Sequence, residues 1–140
     1  EQKLIVVDTH FAAKLHGREY RIGLKKPLLF SLAKKLFSEA TRLGSKTCVN
    51  IVLIHCEPLV LLRRRRLDTT RARELIPSDC VNDVRMNFAY SRFYRAEFIR
   101  ARIAIGSESI HRVEYHVIRN DNQRLAANQL RSIVTRKEDG

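Results

Sequence analysis

The most basic part of the chain is a run of four arginines, Arg63 to Arg66, which follows an apolar stretch and precedes Arg71 and Arg73. Arginine carries a permanent charge on a planar guanidinium whose donors fit two phosphate oxygens at once. A block of like charge repels itself, so it is stable in solvent or against a polyanion. Taken alone, the run indicates a solvated loop beside a strand. In a chain this basic it favours contact with nucleic acid, and RNA is the favoured polyanion.

The composition agrees with such a partner. The chain has 140 residues and a formal net charge of +12, and 19 of its 27 basic residues are arginine. Its hydrophobic content of 44% can supply a core, so residues 1–140 are predicted to form one domain, with a possible insertion at about 67–97. Cys48, Cys56 and Cys80 are not spaced as close zinc ligands and indicate thiols in a reducing compartment. No apolar run approaches the ~20 residues that cross a bilayer.

A second basic segment, residues 85–102, holds five arginines and five of the ten aromatic residues. Aromatic rings stack on unpaired bases while neighbouring guanidiniums hold phosphates. The other interpretation is that the rings line the core and the arginines extend outward. We expect Tyr94 to belong to the core and Tyr90 to be the better candidate for base stacking.

The clearest predicted element is a helix over residues 27–43, where apolar residues recur at helical spacing between a proline and a glycine suited to its two ends. Leu32, Leu36 and Ala40 are expected to face the sheet.

Basic residues accompany this helix. Lys34 and Lys35 belong to a stripe that can follow a phosphate backbone. Lys25 and Lys26 precede the first turn, where the helix dipole also favours an anion, so this end is a second predicted phosphate site.

Strands are predicted at residues 4–7, 20–24 and 47–54 from alternating or β-branched patterns. Two further alternating runs, residues 97–105 and 113–117, flank a small polar turn and predict a β-hairpin.

Asn120 or Asp121 is expected to cap a final helix that runs to about residue 134. The whole pattern predicts an α+β fold in which a mostly antiparallel sheet packs on one or two helices.

Several segments resemble, in order, one known family: Arg21 to Lys25, Ala33 to Gly44, Glu57 to Leu59, Arg63 to Arg66 and Ser109 to Arg119. The helical segment has an alanine, paired lysines and a basic residue ahead of the closing glycine. In this pattern the chain resembles the tenth small-subunit ribosomal protein family. The mitochondrial members look most alike, and the resemblance covers about half the chain. It implies a ferredoxin-like βαββαβ domain in the head of the small subunit, with a basic extended hairpin or loop on ribosomal RNA and neighbouring ribosomal proteins beside it.

The leading hypothesis is therefore a structural, non-enzymatic protein of a mitochondrial ribosome. The alternatives are a cytoplasmic ribosome and another ribosomal or ribonucleoprotein structural protein. A protein of this kind is expected to need no cofactor, metal, small-molecule substrate or membrane. The residues expected to contact RNA are basic side chains of the segments above and one tyrosine: Lys25, Lys26, Lys34, Lys35, Arg63, Arg64, Arg65, Arg66, Arg71, Arg73, Tyr90, Arg92, Arg95, Arg100, Arg102 and Arg112.

Two other classes of function stay open. A metal-dependent enzyme that processes nucleic acid would use Asp8 and His10, or the carboxylates of Asp79, Asp83 and Glu97. The further ligands of a metal cage are not evident near the first pair, and there is no glycine-rich phosphate-binding motif, which disfavours this class. A protein–protein module would instead use the basic loop to bind an acidic partner.

Overall fold

The computed structural model describes residues 5, 7, 11–15, 19–68 and 77–135, and these residues form four strands and four helices. The elements follow one another as β1 (Ala12–Leu15), β2 (Glu19–Ile22), α1 (Lys26–Arg42), β3 (Cys48–His55), α2 (Pro58–Leu67), α3 (Pro77–Ala104), β4 (Arg112–Arg119) and α4 (Gln123–Thr135).

The first two strands form an antiparallel hairpin, with Ala12 opposite Ile22 and Leu15 opposite Glu19. β2 overlaps the strand predicted at residues 20–24. The strand predicted at residues 4–7 lies largely outside the described residues.

Helix α1 confirms the helix predicted over residues 27–43. Pro27 occupies its first turn, where the missing N–H removes no helical hydrogen bond. Gly44 follows the last turn with a φ of +69°, a left-handed conformation that glycine adopts without strain.

The buried face of α1 differs from the predicted one. Leu29, Ala33 and Phe37 are buried, whereas Leu32 and Leu36 keep 52% and 42% of their surface exposed. Two apolar stripes at helical spacing run side by side on this helix. The stripe that combines the large phenylalanine with the small alanine packs on α3, since the small side chain lets the helices approach and the ring fills the space beside it.

The second pair of strands is parallel: in the β3–β4 pair, Cys48 lies opposite Arg112 and His55 opposite Arg119. The described fold is α+β, with four helices, the β1–β2 hairpin and this parallel pair. The prediction of a mostly antiparallel sheet in a ferredoxin-like βαββαβ arrangement is therefore wrong. Parallel neighbours need a long crossover connection, and α2 and α3 lie within it.

The predicted hairpin of residues 97–105 and 113–117 is wrong in its first strand. β4 includes the second run, but residues 97–104 form the last turns of α3. The buried residues Tyr94, Glu97 and Ala101 follow one another at intervals of three and four, as one face of a helix requires. An apolar run this short fits both the two-residue period of a strand and the 3.6-residue period of a helix. Alternation alone therefore could not show that residues 97–104 are helical.

Helix α3 has 28 residues, is about 42 Å long, and packs on α1 and on the β3–β4 pair. It contributes to both buried clusters, one of Leu29, Ile51 and Tyr94 and the other of Ala33, Phe37 and Ala101. Tyr94 is 4% exposed, which confirms it as a core residue, and its hydroxyl accepts a 2.8 Å hydrogen bond from the Leu24 N–H.

The arginine tetrad lies in helix α2, so the prediction of a basic loop is wrong. Pro58 opens the helix, and Leu62 is its buried residue. Arginine is a good helix former, and helical geometry directs the four guanidiniums to different sides, which relieves their repulsion.

Helix α4 confirms the predicted final helix, but its cap is Asn122 and not Asn120 or Asp121. The Asn122 side-chain oxygen accepts the N–H groups of Arg124 and Leu125 at 3.1 and 3.2 Å.

Candidate nucleic-acid interface

Helices α1 and α3 bring basic and aromatic side chains together on one surface, here called the α1–α3 basic surface. It consists of Lys26, Phe30 and Lys34 from α1 and of Tyr90, Phe93 and Arg100 from α3. On each helix the members recur at intervals of three, four or seven residues, so they lie on one side of it. Because the helices pack directly on each other, the two rows are neighbours.

Cations lie over the aromatic rings of this surface. The Lys26 Nζ is 5.0 Å from the centre of the Phe93 ring. The Phe30 ring has two such neighbours, the Lys34 Nζ at 5.4 Å and the Arg100 Cζ at 4.3 Å. Such contacts contribute about 0.5–1 kcal/mol each at exposed sites and restrain long basic side chains that would otherwise be mobile.

One buried carboxylate lies beneath the cations. Glu97 is 2% exposed, and its Oε1 is 3.2 Å from an Arg100 nitrogen and 3.9 Å from the Lys26 Nζ. With Lys34 beside the Phe30 ring, the surface holds three cations against this one carboxylate. The surface therefore keeps a net positive charge that can attract an anion.

A second basic group lies on another side of α3, beside the sheet. The Arg92 Cζ is 6.0 Å from the centre of the Phe88 ring, and the Arg95 Cζ is 5.8 Å from that of Tyr115. Both arginines are exposed. Two basic groups on different sides of one long helix can contact two separate stretches of phosphate backbone.

Outside these two basic groups, four more of the predicted RNA-binding arginines donate to or pair with oxygen atoms of the protein itself. Arg65 donates to the Asp83 Oδ2 at 2.6 Å, and Arg102 donates to the His111 carbonyl oxygen at 3.2 Å. Arg64 donates to the Asp121 carbonyl oxygen at 3.4 Å, and Arg112 forms an ion pair with Glu114. Arg64, Arg65 and Arg102 are also half-buried, whereas Arg112 is exposed.

The remaining predicted residues are not part of either basic group. Arg63 and Arg66 are exposed on α2, and Lys25 and Lys35 are exposed at the start and on the outer side of α1. Arg71 and Arg73 lie outside the described residues.

Sequence reasoning missed the residues that organise the α1–α3 basic surface, namely Phe30, Phe93 and Glu97. A signal was present for the first: Phe30 is four residues from both Lys26 and Lys34, which places all three on one side of the predicted helix. No such signal linked these residues to Arg100, because that contact depends on the packing of α1 on α3.

The carboxylates considered for a nuclease are buried. Asp83 and Glu97 form the ion pairs described above, and Asp79 is 8% exposed. Within the described ranges, no group of three His, Cys, Asp or Glu side chains is arranged to hold a metal ion. Asp8 and His10 lie outside those ranges.

The Cys56 thiol is also buried, close to the start of α2. Burial raises its pKa above the ordinary value for cysteine, although the charges of Arg64 and Arg65 act in the opposite direction. A raised pKa keeps a thiol protonated at neutral pH and makes it a poor nucleophile.

No helix in the described part of the chain is both long enough and apolar enough to span a membrane. A comparison with protein-family models gives no match, and comparisons with curated proteins and with solved structures give no significant match.

Proposed function

We propose that this chain is a non-enzymatic RNA-binding protein and a structural part of a ribonucleoprotein particle. The observation that supports the proposal most directly is the α1–α3 basic surface, where three cations surround half-buried aromatic rings. Single-stranded nucleic acid is held by this combination, since cations bind its phosphates and rings stack on its bases. The net charge of +12 adds a long-range attraction to any polyanion.

The proposed mechanism is charge neutralisation on two sides of α3. Lys26 and Lys34 hold phosphates beside α1, and Arg92 and Arg95 hold phosphates beside the sheet. Each phosphate that is neutralised releases condensed counterions, which favours binding at low salt. The rigid helix between the two groups then fixes two stretches of folded RNA relative to each other.

The specific form that we propose is a ribosomal protein of the small-subunit head in mitochondria, with another ribonucleoprotein or a cytoplasmic ribosome as the alternative. Its support is the sequence resemblance at residues 33–44 and 109–119, and not the arrangement of the sheet.

Neighbouring ribosomal proteins are the other partners in this proposal. They are supported by a row of exposed leucines on α1, because protein neighbours often cover such apolar surface. The leucines are Leu28, Leu32 and Leu36, and Leu43 follows at the C-terminal cap of the helix.

The proposed function is tested by titrating the purified chain with a structured RNA at salt concentrations from about 50 to 200 mM. We expect tight binding whose logarithm falls linearly and steeply with the logarithm of salt concentration, without cleavage of the RNA. RNA cleavage on addition of a divalent metal would favour the enzyme, and no RNA affinity would favour a module for an acidic protein. Cosedimentation of the native protein with ribosomal particles through a moderate-salt sucrose gradient tests the ribosomal form.

A further inference from the structure

Two neighbours hold the guanidinium of Arg100 in one orientation. Its Cζ lies 4.3 Å from the centre of the Phe30 ring, and its Nη1 donates to the Glu97 Oε1 at 3.2 Å. The ring therefore supports the guanidinium from one side, and the carboxylate binds it at an edge. The Arg100 side chain is 56% exposed, so more than half of its surface is accessible to solvent.

Burial of Glu97 strengthens this arrangement. The Glu97 side chain is 3% exposed, and its Oε2 has no hydrogen-bond partner among the described residues. A buried carboxylate depends on its cations, since losing one leaves an uncompensated charge in the protein interior. Arg100 is the nearer of its two cations, so Glu97 is a positioning residue for the Arg100 guanidinium.

We propose that the Phe30–Arg100 stack is a platform for one unpaired base of single-stranded RNA. The proposal rests on the RNA-binding function and names the kind of RNA that the α1–α3 basic surface takes. A guanidinium plane stacks on bases as it does on aromatic rings, so a base completes a stack of ring, guanidinium and base. Bases inside a duplex already stack on one another and do not offer a face to such a platform.

The lysines of the same surface suit a single strand. Lys26 and Lys34 lie four residues on either side of Phe30, about 12 Å apart along the helix axis. In these positions they bind the phosphates that flank the stacked base. Tyr90, whose ring centre is 6.4 Å from that of Phe93, offers a second ring for a base further along the strand.

The test compares wild type with Arg100→Lys on two RNAs that carry the same number of phosphates, a single strand containing 2-aminopurine and a blunt-ended duplex without a loop. Lysine keeps the positive charge near Glu97 but has no plane. We expect this variant to bind the single strand about fivefold or more weakly, with less quenching of 2-aminopurine fluorescence. Duplex affinity and its salt dependence should change less than about twofold, because the charge is unchanged.

Arg42→Lys is the matched control, since Arg42 is also an exposed arginine that donates to a glutamate three residues before it, Glu39, at 3.1 Å, and it lies outside both basic groups. It should leave 2-aminopurine quenching unchanged. Thermal melting of each variant checks the fold. Should Arg100→Lys melt early, Phe30→Leu removes the ring and retains most of the apolar volume, and we expect the same selective loss.

Equal losses on both RNAs, or a loss on neither, would overturn the platform and leave the RNA-binding function standing. Failure of the wild-type protein to bind either RNA would overturn the proposed function and the platform with it.

Discussion

Arg65 on α2 donates to the Asp83 Oδ2 on α3 at 2.6 Å, so one arginine of the tetrad links two helices. Only 19% of the Arg65 side chain and 8% of the Asp83 side chain are exposed, and Arg65 also approaches the Cys80 Sγ at 3.5 Å. The tetrad therefore contains two kinds of arginine: Arg65 is paired inside the fold, whereas Arg63 and Arg66 are exposed to solvent.

Arg65→Gln should lower the free energy of unfolding by about 2–4 kcal/mol, because it leaves the Asp83 carboxylate buried without its cation. Arg63→Gln, the matched exposed change, should alter it by less than about 0.5 kcal/mol. Urea denaturation of both variants measures the difference. Equal effects would show that the ion pair does not stabilise the contact between α2 and α3.

The two apolar stripes of α1 should differ in their contribution to stability. Leu29→Ala should cost about 2–5 kcal/mol, because Leu29 is 1% exposed and its loss leaves a cavity against Ile51 and Tyr94. Leu32→Ala should cost less than about 1 kcal/mol, since half of that side chain is already in solvent. Denaturant midpoints decide between the stripes, and a larger effect at Leu32 would reverse our assignment of the buried face.

Asp121 should make stability depend on acid pH. Its Oδ1 accepts the Glu57 N–H at 3.2 Å, and its Oδ2 accepts a hydrogen bond from Arg119. Desolvation acts to raise the pKa of Asp121, but the Glu57 N–H and Arg119 outweigh it and hold this pKa below the ordinary value of 3.8. A carboxyl whose pKa is lowered by folding stabilises the fold above its ordinary pKa, and this contribution is lost as the pH falls through the lowered value.

Asp121→Asn should therefore melt earlier than wild type near pH 7, and the difference should shrink as the pH falls below about 3.8. Melting curves from about pH 7 to pH 2 measure this, with the exposed Glu108→Gln as control. A difference in melting temperature that stays constant to the lowest pH would contradict the assignment.

Tyr90 and Tyr94 should separate RNA contact from packing. Tyr94→Ala should cost about 3–5 kcal/mol of stability, because the ring is buried in the core. Tyr90 is half-buried beside Phe93, and Tyr90→Ala should weaken RNA binding by roughly 1–3 kcal/mol while the melting temperature barely changes. Parallel melting and RNA titration test the pair, and an unaltered RNA affinity for Tyr90→Ala would remove this ring from the interface.

The sequence allowed α1, α4, β2, β3 and β4 to be located, but not β1, α2 or α3, and not how the strands pair. The limits of α1 followed from Pro27 and Gly44, because these residues act locally. The parallel partner of β3 could not be identified, because pairing depends on the path of the chain through α2 and α3. Residues 97–105 were mistaken for a strand, since their apolar spacing satisfies both periods and only the packing against α1 selects the helix.

For the candidate site, the sequence predicted that basic and aromatic side chains contact RNA. It did not predict which of these side chains lie together on one surface. Lys26, Lys34, Tyr90 and Arg100 were all expected to contact RNA, and they do lie on one surface. Arg65 was expected to do the same, but composition cannot distinguish an arginine that faces solvent from one that meets a buried carboxylate on another helix.

The most direct test of RNA binding by the α1–α3 basic surface is the salt dependence of RNA affinity for the double variant Lys26→Gln/Lys34→Gln. Its control is Lys46→Gln/Arg124→Gln, which removes two exposed charges elsewhere on the molecule. We predict that the slope of log affinity against log salt falls in magnitude by about 0.7–0.9 for each lysine lost, and that the control keeps the wild-type slope. An unchanged slope in the first variant, or the same decrease in both, would contradict the assignment of this surface to RNA.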